Sequence, residues 1–251
     1  MLMPLIAATI DVYKKHHPDL IAVYLVGSVT VGEWRVGVSD LDVIGITQSP
    51  APQDCDSARR EEFLYLGDAT GYVSFIDSTV ICRADIEDPA RSHGVQGELS
   101  KLSLSGINAW GETFDFSDHV PSFECMVFNR MDRARLLMEK YRAGNLIEPF
   151  RKDARLLTRS SAKAAMRVLS SITLLRGAAY HPSPYRTSEI VEIFVPEAAE
   201  LNKQILAIIN NPIVPPETAM RCTDKAVELF HRLIQQHQNI KDAYAASVKS
   251  R

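Results

Sequence analysis

The spacing of apolar residues changes along the chain, and the change predicts two regions of different structure. In the first region, β-branched apolar runs typical of buried strands alternate with stretches of helical period. The predicted helices lie at 2–17, 56–64 and 97–104, and the predicted strands at 21–26, 41–46, 72–82 and 107–110. From about residue 123 onward every periodic stretch fits a helix, most clearly at 154–176 (with Gly177 as a stop), 196–209 and 217–237.

These elements predict an α+β fold, in which an N-terminal domain with a mixed β-sheet and flanking helices is followed by a C-terminal helical bundle domain. The turn-rich stretch Ser117–Ser122 separates the two patterns. We therefore predict domains at 1–118 and 119–251. A length of 251 residues is sufficient for two domains of this size.

The composition is typical of a soluble globular protein, with 46% hydrophobic and 24% charged residues. No apolar run approaches the roughly 20 residues that a membrane helix needs, and the N-terminus lacks the features of a secretory leader. The four cysteines are scattered, without a C-x-x-C pair that would indicate a zinc site. These features predict a cytoplasmic protein without a membrane partner.

The net charge of −3 disfavours a nucleic acid as the partner, but the charge is unevenly distributed. Between residues 151 and 186 the only acid is Asp153. The same segment contains eight basic residues: Arg151, Lys152, Arg155, Arg159, Lys163, Arg167, Arg176 and Arg186. A concentrated positive charge of this kind favours an anionic ligand, and the remaining, acidic part of the chain favours a cationic one. The alternative is a solvated helix face whose basic residues pair with acids.

A glycine-rich turn joins the first two predicted strands and has polar residues at both ends. The first strand ends in Gly27-Ser28, and the second begins with Asp40-Leu41-Asp42. Because successive side chains of a strand face opposite ways, Asp40 and Asp42 are expected on one face. Two carboxylates on one face suit divalent cations that prefer oxygen ligands. The amides near Gly27 and Ser28, with the Ser28 hydroxyl, suit phosphate oxygens.

An isolated acid lies in the middle of the next predicted strand. Asp77 is the only charged residue between Val73 and Ile81. A carboxylate in such a strand is costly unless a cation compensates it. Asp77 is therefore the candidate third ligand of a two-metal site, in which Mg²⁺ ions about 3.5–4 Å apart stabilise the attacking and leaving oxygens of an in-line displacement.

The order of these residues resembles the motif of the polymerase-β-type nucleotidyltransferase superfamily: Gly-Ser, a glycine four residues after the serine, then Ser-Asp-x-Asp. Tyr24–Ser28 and Ser39–Val43 are most similar to its aminoglycoside-nucleotidyltransferase branch, in which Ile107–Gly111 matches a short strand. The helical half, with Lys163–Arg167 and Phe194–Glu197, is similar to the helical substrate domains of that branch. The resemblance covers most of the chain and is specific in its first third.

The resemblance implies an enzyme that transfers a nucleoside monophosphate, in the first instance AMP, from ATP or another NTP to a hydroxyl of a small, aminoglycoside-like acceptor. Asp40, Asp42 and Asp77 would bind two Mg²⁺ ions, and Asp77 would also activate the hydroxyl. The implied partners are the NTP and the small acceptor, with the chain as a monomer or homodimer. The implied nucleotide-binding residues are Gly27, Ser28, Ser39, Lys163 and Arg167.

The sequence departs from the family pattern in two places. The Gly32–Ser39 loop is one residue longer than usual, and Asp77 stands where drug-modifying relatives often have a glutamate. The second difference makes the role of Asp77 as a general base less secure than its role as a metal ligand.

Two other functions stay open on the sequence alone. The first is adenylylation of a protein or RNA partner, although an RNA acceptor would require a broader basic surface than one stripe. The second is a non-catalytic nucleotide-binding or antitoxin-like module, which would not need the three carboxylates.

Two weaker features favour structural explanations. Arg-x4-His, a pattern of ribonucleases, occurs twice, at Arg176–His181 and Arg232–His237, and Trp34 is expected to pack rather than to stack on a base.

Overall fold

A computed structural model describes residues 2–236, apart from 38, 51–52, 74, 89–94, 121, 147–149 and 152, together with residue 242. The chain forms two compact units, Met1–Pro121 and Ser122–Arg251, here called the first unit and the helical unit. Within the described residues, no helix combines the length and the apolar character that crossing a bilayer requires.

The first unit contains both strands and helices, and its elements alternate along the chain. Its strands are β1 (Leu20–Val26), β2 (Leu41–Thr47), β3 (Ile76–Cys82) and β4 (Ile107–Gly111). Its helices are α1 (Leu2–His16), α2 (Gln53–Thr70), α3 (Arg83–Glu87) and α4 (Gln96–Ser105). The predicted α+β fold is confirmed. The strand predicted at 72–82 is shorter than expected, whereas the helix predicted at 56–64 is longer.

Among the described residues the strands form one mixed sheet in the order β3-β2-β1-β4. The strand β1 is antiparallel to both β2 and β4, whereas β2 and β3 run parallel. The parallel arrangement follows from the connection, because α2 returns the chain to the same end of the sheet before β3 begins.

The two faces of the sheet belong to different apolar cores, and this assigns each strand residue to a face. Leu41 and Val43 lie in the core that also contains α1 residues. Ile44 and Ile46 lie in the second core, with Leu99 of α4. Because residues two apart on a strand share a face, Asp42 belongs to the second face.

In the residues that the structure describes, the helical unit consists of five long helices around one core. They are α5 (Phe123–Arg142), α6 (Ala154–Leu175), α7 (Pro184–Phe194), α8 (Ala199–Asn210) and α9 (Pro216–Gln236). Most of α6 is buried, so this helix is the centre of the unit. It ends as the sequence predicts, because Gly177 adopts a positive φ of 85°, a conformation that favours glycine.

The start of α6 gives a stability prediction. The Asp153 carboxylate accepts hydrogen bonds from the amides of Arg155 (2.8 Å) and Leu156 (3.2 Å). Asp153→Ala should lower the free energy of unfolding by about 1 kcal/mol, because two amides lose their acceptor. Urea unfolding measures the change, and Asp153→Asn, which keeps an acceptor oxygen, should lose much less. Equal stability of the alanine variant and the wild type would contradict this capping role.

Candidate active site

Asp42 and Asp77 are neighbours across the parallel pair of strands. The register of β2 and β3 aligns Asp42 with Asp77, one residue after each strand begins. Adjacent strands lie about 4.8 Å apart, and residues in register point to the same face. Asp77 is exposed and Asp42 half-buried, whereas Leu41 and Ile76, which precede them, are buried. The sheet therefore presents two carboxylates side by side at one end of its second face.

Gly27 lies against the Asp42 carboxylate on the side of β2 that faces β1, opposite Asp77. The strand β1 pairs Val26 with Asp42, so Gly27 follows directly after the paired residue. Gly27 has a φ of 77°. A Cβ atom at this position would overlap Oδ2 of Asp42 and would lie 3.0 Å from its Cγ. Both the backbone conformation and the lack of space therefore require glycine here.

The turn after Gly27 is held by its own backbone. Gly27–Val29 form one turn of 3-10 helix. The Thr30 hydroxyl donates to the Gly27 carbonyl at 2.8 Å, and the Glu33 amide donates to the Ser28 carbonyl at 2.9 Å. Within the described part of the chain, the buried Oγ of Ser28 has no hydrogen-bond partner. A buried hydroxyl without a partner is costly, so Ser28 is suited to a ligand that supplies one.

Ser39 closes the glycine-rich loop. It is buried, and its Oγ accepts a hydrogen bond from the Arg35 amide at 3.0 Å, while its amide donates to the Arg35 carbonyl at 2.9 Å. These contacts hold the chain immediately before Asp40, which is half-buried and precedes β2. Ser39 therefore contacts the loop backbone, and its expected contact with the nucleotide stays a prediction.

The residues at this end of the sheet suit magnesium in part. Their donors are carboxylate oxygens, which Mg²⁺ prefers, and Mg²⁺ typically takes one or two protein carboxylates together with substrate phosphates. Asp42 and Asp77 supply such a pair beside Gly27 and Ser28. In the described residues, no three histidine, cysteine or acidic side chains converge as a ready-made metal site. The pair fits a metal that arrives with a nucleotide better than a metal held by protein alone.

Trp34 lies in the same loop, and its ring packs against the core that contains α1 residues. Its Nε1 atom is buried and, among the residues that the structure describes, has no hydrogen-bond partner. The geometry is that of a packing residue, as the sequence predicts.

The basic residues of the helical unit do not form one continuous stripe. Arg151 precedes α6 and donates to the Leu146 carbonyl, and Lys152 lies outside the described residues. Arg159 is only 8% exposed. Lys163 is half-buried and Arg167 exposed.

Two of the other basic residues form ion pairs. Arg176 contacts Glu197, whose pKa it lowers through hydrogen bonds, and Arg186 contacts Glu189 at 2.7 Å. Arg155 is exposed in the first turn of α6, and the expected roles of Lys163 and Arg167 in binding an anion stay predictions. The histidine of the second Arg-x4-His pattern, His237, lies outside the described residues.

Arg130 on α5 is a candidate basic residue that no sequence pattern singles out. Its guanidinium lies 4.1 Å from the centre of the Tyr180 ring and donates to the Ser170 hydroxyl at 3.0 Å. Burial lowers the pKa of Arg130, and so does the positive charge of Arg167. The positive charge of Arg167 therefore acts on Arg130, and a nearby anion would offset it. No periodic pattern relates residues on two helices, so the sequence gives no signal for this pair.

The comparison with solved structures identifies the fold. No protein-family model and no curated protein sequence matches the chain. The structure of spectinomycin adenyltransferase AAD(9) from Enterococcus faecialis, with ATP and spectinomycin, matches with a TM-score of 0.60 and 12% sequence identity. The match covers 91% of this chain and 98% of AAD(9). The chain has a polymerase-β-type nucleotidyltransferase fold.

Two other solved structures superpose less well. A nucleotidyltransferase-like protein from Exiguobacterium sibiricum is 13% identical, with a TM-score of 0.32 over 98% of this chain and 80% of its own. A toxin–antitoxin protein solved with AMP-PNP is 15% identical, with a TM-score of 0.32 over 55% of this chain and 94% of its own. The assignment of the nucleotidyltransferase fold therefore depends on the AAD(9) comparison.

Proposed function

We propose that this protein is a magnesium-dependent nucleotidyltransferase that transfers AMP from ATP to a hydroxyl of a small molecule and releases pyrophosphate. The observation that supports the proposal most strongly is the register of β2 and β3, which aligns Asp42 with Asp77 beside the positive-φ Gly27. An acidic pair next to a backbone that accommodates no Cβ atom suits a metal-bound triphosphate.

Each residue of the site has a proposed role in the transfer. Asp42 and Asp77, together with Asp40 immediately before β2, would hold the metal, and Gly27 and Ser28 would bind the triphosphate. Bound Mg²⁺ would neutralise negative charge on the triphosphate and on the departing pyrophosphate. The acceptor oxygen attacks the α-phosphorus, the bond from that phosphorus to the bridging oxygen of the β-phosphate breaks, and the hydroxyl proton passes to Asp77.

A small, cationic acceptor fits this protein better than a macromolecule. AAD(9) is a spectinomycin adenyltransferase that was solved with ATP and spectinomycin, and the match spans 98% of its length. The acids outside the 151–186 segment favour a cationic acceptor by their sign. We propose an aminoglycoside-like or aminocyclitol acceptor for these reasons.

Lys163 and Arg167 are proposed to bind the NTP phosphates. Both lie on the central helix α6, and neither Lys163 nor Arg167 is fully buried. Arg167 also raises the local positive potential together with Arg130. Replacing an arginine that contacts phosphate should weaken NTP binding, because guanidinium–phosphate contacts are charge-assisted hydrogen bonds.

The proposal is tested by pyrophosphate release from Mg-ATP across a panel of aminoglycosides and aminocyclitols, spectinomycin included. The expected result is acceptor-dependent release, with α-labelled phosphate recovered in the small molecule. Label recovered in protein or RNA would favour the macromolecular alternative. ATP binding without pyrophosphate release, for every acceptor, would favour the non-catalytic module.

Replacement of Ser28 is expected to affect nucleotide binding and protein stability differently. Ser28→Ala should weaken binding of a non-hydrolysable ATP analogue by about tenfold or more, because a hydrogen bond to a charged group is lost. Its free energy of unfolding should stay the same or rise, since a buried hydroxyl without a partner is removed. Calorimetric titration and urea unfolding measure the two effects.

The control for Ser28 is Thr30→Val in the same turn. Thr30 donates to the Gly27 carbonyl, so this variant should lose stability, unlike Ser28→Ala. A Ser28→Ala protein that loses stability but binds the nucleotide analogue normally would show that the hydroxyl serves the fold rather than the ligand.

A further inference from the structure

Tyr13 of α1 contacts both strands that contain the acidic pair. Its side chain is fully buried. Its hydroxyl lies 3.1 Å from the Val43 carbonyl of β2 and 3.0 Å from the Thr79 carbonyl of β3. Val43 directly follows Asp42, and Thr79 is two residues after Asp77. One hydroxyl is therefore shared between the two strands close to their carboxylates.

The ring of Tyr13 lies on the opposite face of the sheet from the carboxylates. Tyr13 belongs to the core that contains Leu41 and Val43, whereas Asp42 points to the second face. A Cβ atom at Gly45 of β2 would lie 2.6 Å from Cε1 of Tyr13. The ring therefore packs directly on the strand backbone, and only glycine at position 45 leaves it this space.

The Tyr13 hydroxyl remains protonated and so remains a donor. Burial raises its pKa well above the usual range. The positive charge of Arg59 opposes this shift, and the negative charge of Asp77 adds to it.

We propose that Tyr13 is a positioning residue, which holds β2 and β3 in the spacing that places Asp42 beside Asp77. The inference rests on the proposed function, because the spacing of the two strands matters only if Asp42 and Asp77 bind a metal. Its physical basis is that a hydroxyl bridging two carbonyls restrains both strands, and carboxylates on adjacent strands move with their backbones. Partners behind a metal ligand commonly affect metal affinity by about 10–100-fold.

The test is Tyr13→Phe, which removes the hydroxyl and keeps the ring. Mn²⁺ binding in the presence of a non-hydrolysable ATP analogue, followed by water-proton relaxation, is expected to weaken by about tenfold. With an active acceptor, kcat should fall by a similar factor while KM for ATP changes little, since Gly27 and Ser28 are unchanged. Loss of folded protein alone would lower the amount of active enzyme but would not change metal affinity.

The matched control is Tyr24→Phe. Tyr24 is also buried, and its hydroxyl accepts a hydrogen bond from the Phe114 amide at 2.7 Å. In the described residues, this hydroxyl has no hydrogen bond to β2 or β3. The Tyr24→Phe variant should lose stability with no change in Mn²⁺ affinity.

If Tyr13→Phe does not fold, Gly45→Ala gives a second test of the positioning role, because its methyl group displaces the Tyr13 ring while the hydroxyl is kept. Weaker Mn²⁺ binding by folded Gly45→Ala would support the proposal.

The outcomes separate this inference from the function. If the wild type binds Mn²⁺ with the analogue and folded Tyr13→Phe or Gly45→Ala binds it equally well, the positioning role is wrong and the proposed function stands. If the wild type binds no Mn²⁺ with the analogue, the proposed metal site and the role of Tyr13 are both wrong.

Discussion

Asp42→Asn is expected to lower nucleotidyl transfer by about three orders of magnitude or more while the protein folds normally. The variant removes one charge of the acidic pair, and a loss of about 4 kcal/mol of transition-state stabilisation corresponds to roughly a thousandfold in rate. Asparagine has nearly the same size, so the neighbouring Gly27 stays undisturbed. Pyrophosphate release and urea unfolding measure the two quantities.

The control is Asp68→Asn on the exposed side of α2. It makes the same change of charge in the same unit, away from β2 and β3, and should retain wild-type turnover. Turnover of Asp42→Asn within a few-fold of the wild type would contradict the metal assignment. A variant that does not fold would instead show that Asp42 is a structural residue.

The sequence was sufficient to predict the fold class because the apolar residues have clear periods in the two halves. The strand alternation also predicted the face of Asp42 correctly. It did not predict that Asp77 would be in register with Asp42, because strand pairing is a tertiary contact between segments separated by a helix. The isolated acid and the family resemblance predicted that Asp77 joins the site, and the sheet topology adds its alignment with Asp42.

The errors in the strand boundaries have local causes. The prediction started β3 at Tyr72, because Tyr72 and Val73 continue the apolar run. In the structure, Gly71 has a φ of 61°, and the Tyr72 carbonyl accepts a hydrogen bond from the Gly37 amide. The backbone of Tyr72 therefore bonds to the glycine-rich loop instead of the sheet, and no pattern of side chains reveals such a contact.

The sequence also does not show which charged residues of a helix are buried. A spacing of four residues places Arg155, Arg159, Lys163 and Arg167 near one another on a helix. In the structure Arg159 is 8% exposed and Arg167 is exposed, because α6 is the central helix and is surrounded by the other helices. Helical spacing shows which residues share a face, but not which neighbouring helix covers part of that face.

Gly27→Ala is expected to lower activity by about a hundredfold or more. A φ of 77° strains an alanine by about 1–2 kcal/mol, and the added methyl group would overlap Oδ2 of Asp42. The Asp42 carboxylate must then move away from its place beside Asp77. A displacement of about 1 Å at a reacting centre can cost about a hundredfold in rate. The measurement is kcat for pyrophosphate release, together with the free energy of unfolding.

Gly71→Ala separates backbone strain from displacement of the carboxylate. Gly71 also has a positive φ, but a Cβ atom there would meet no heavy atom within 4 Å. This variant should therefore lose a similar amount of stability and keep most of its activity. If both variants lose activity in proportion to their stability, the loss at Gly27 comes from strain alone. A loss of activity at Gly27→Ala that exceeds its loss of stability would show that the methyl group acts on the site. If the methyl group acts through Asp42, the double variant Gly27→Ala/Asp42→Ala should regain part of the nucleotide affinity but none of the turnover.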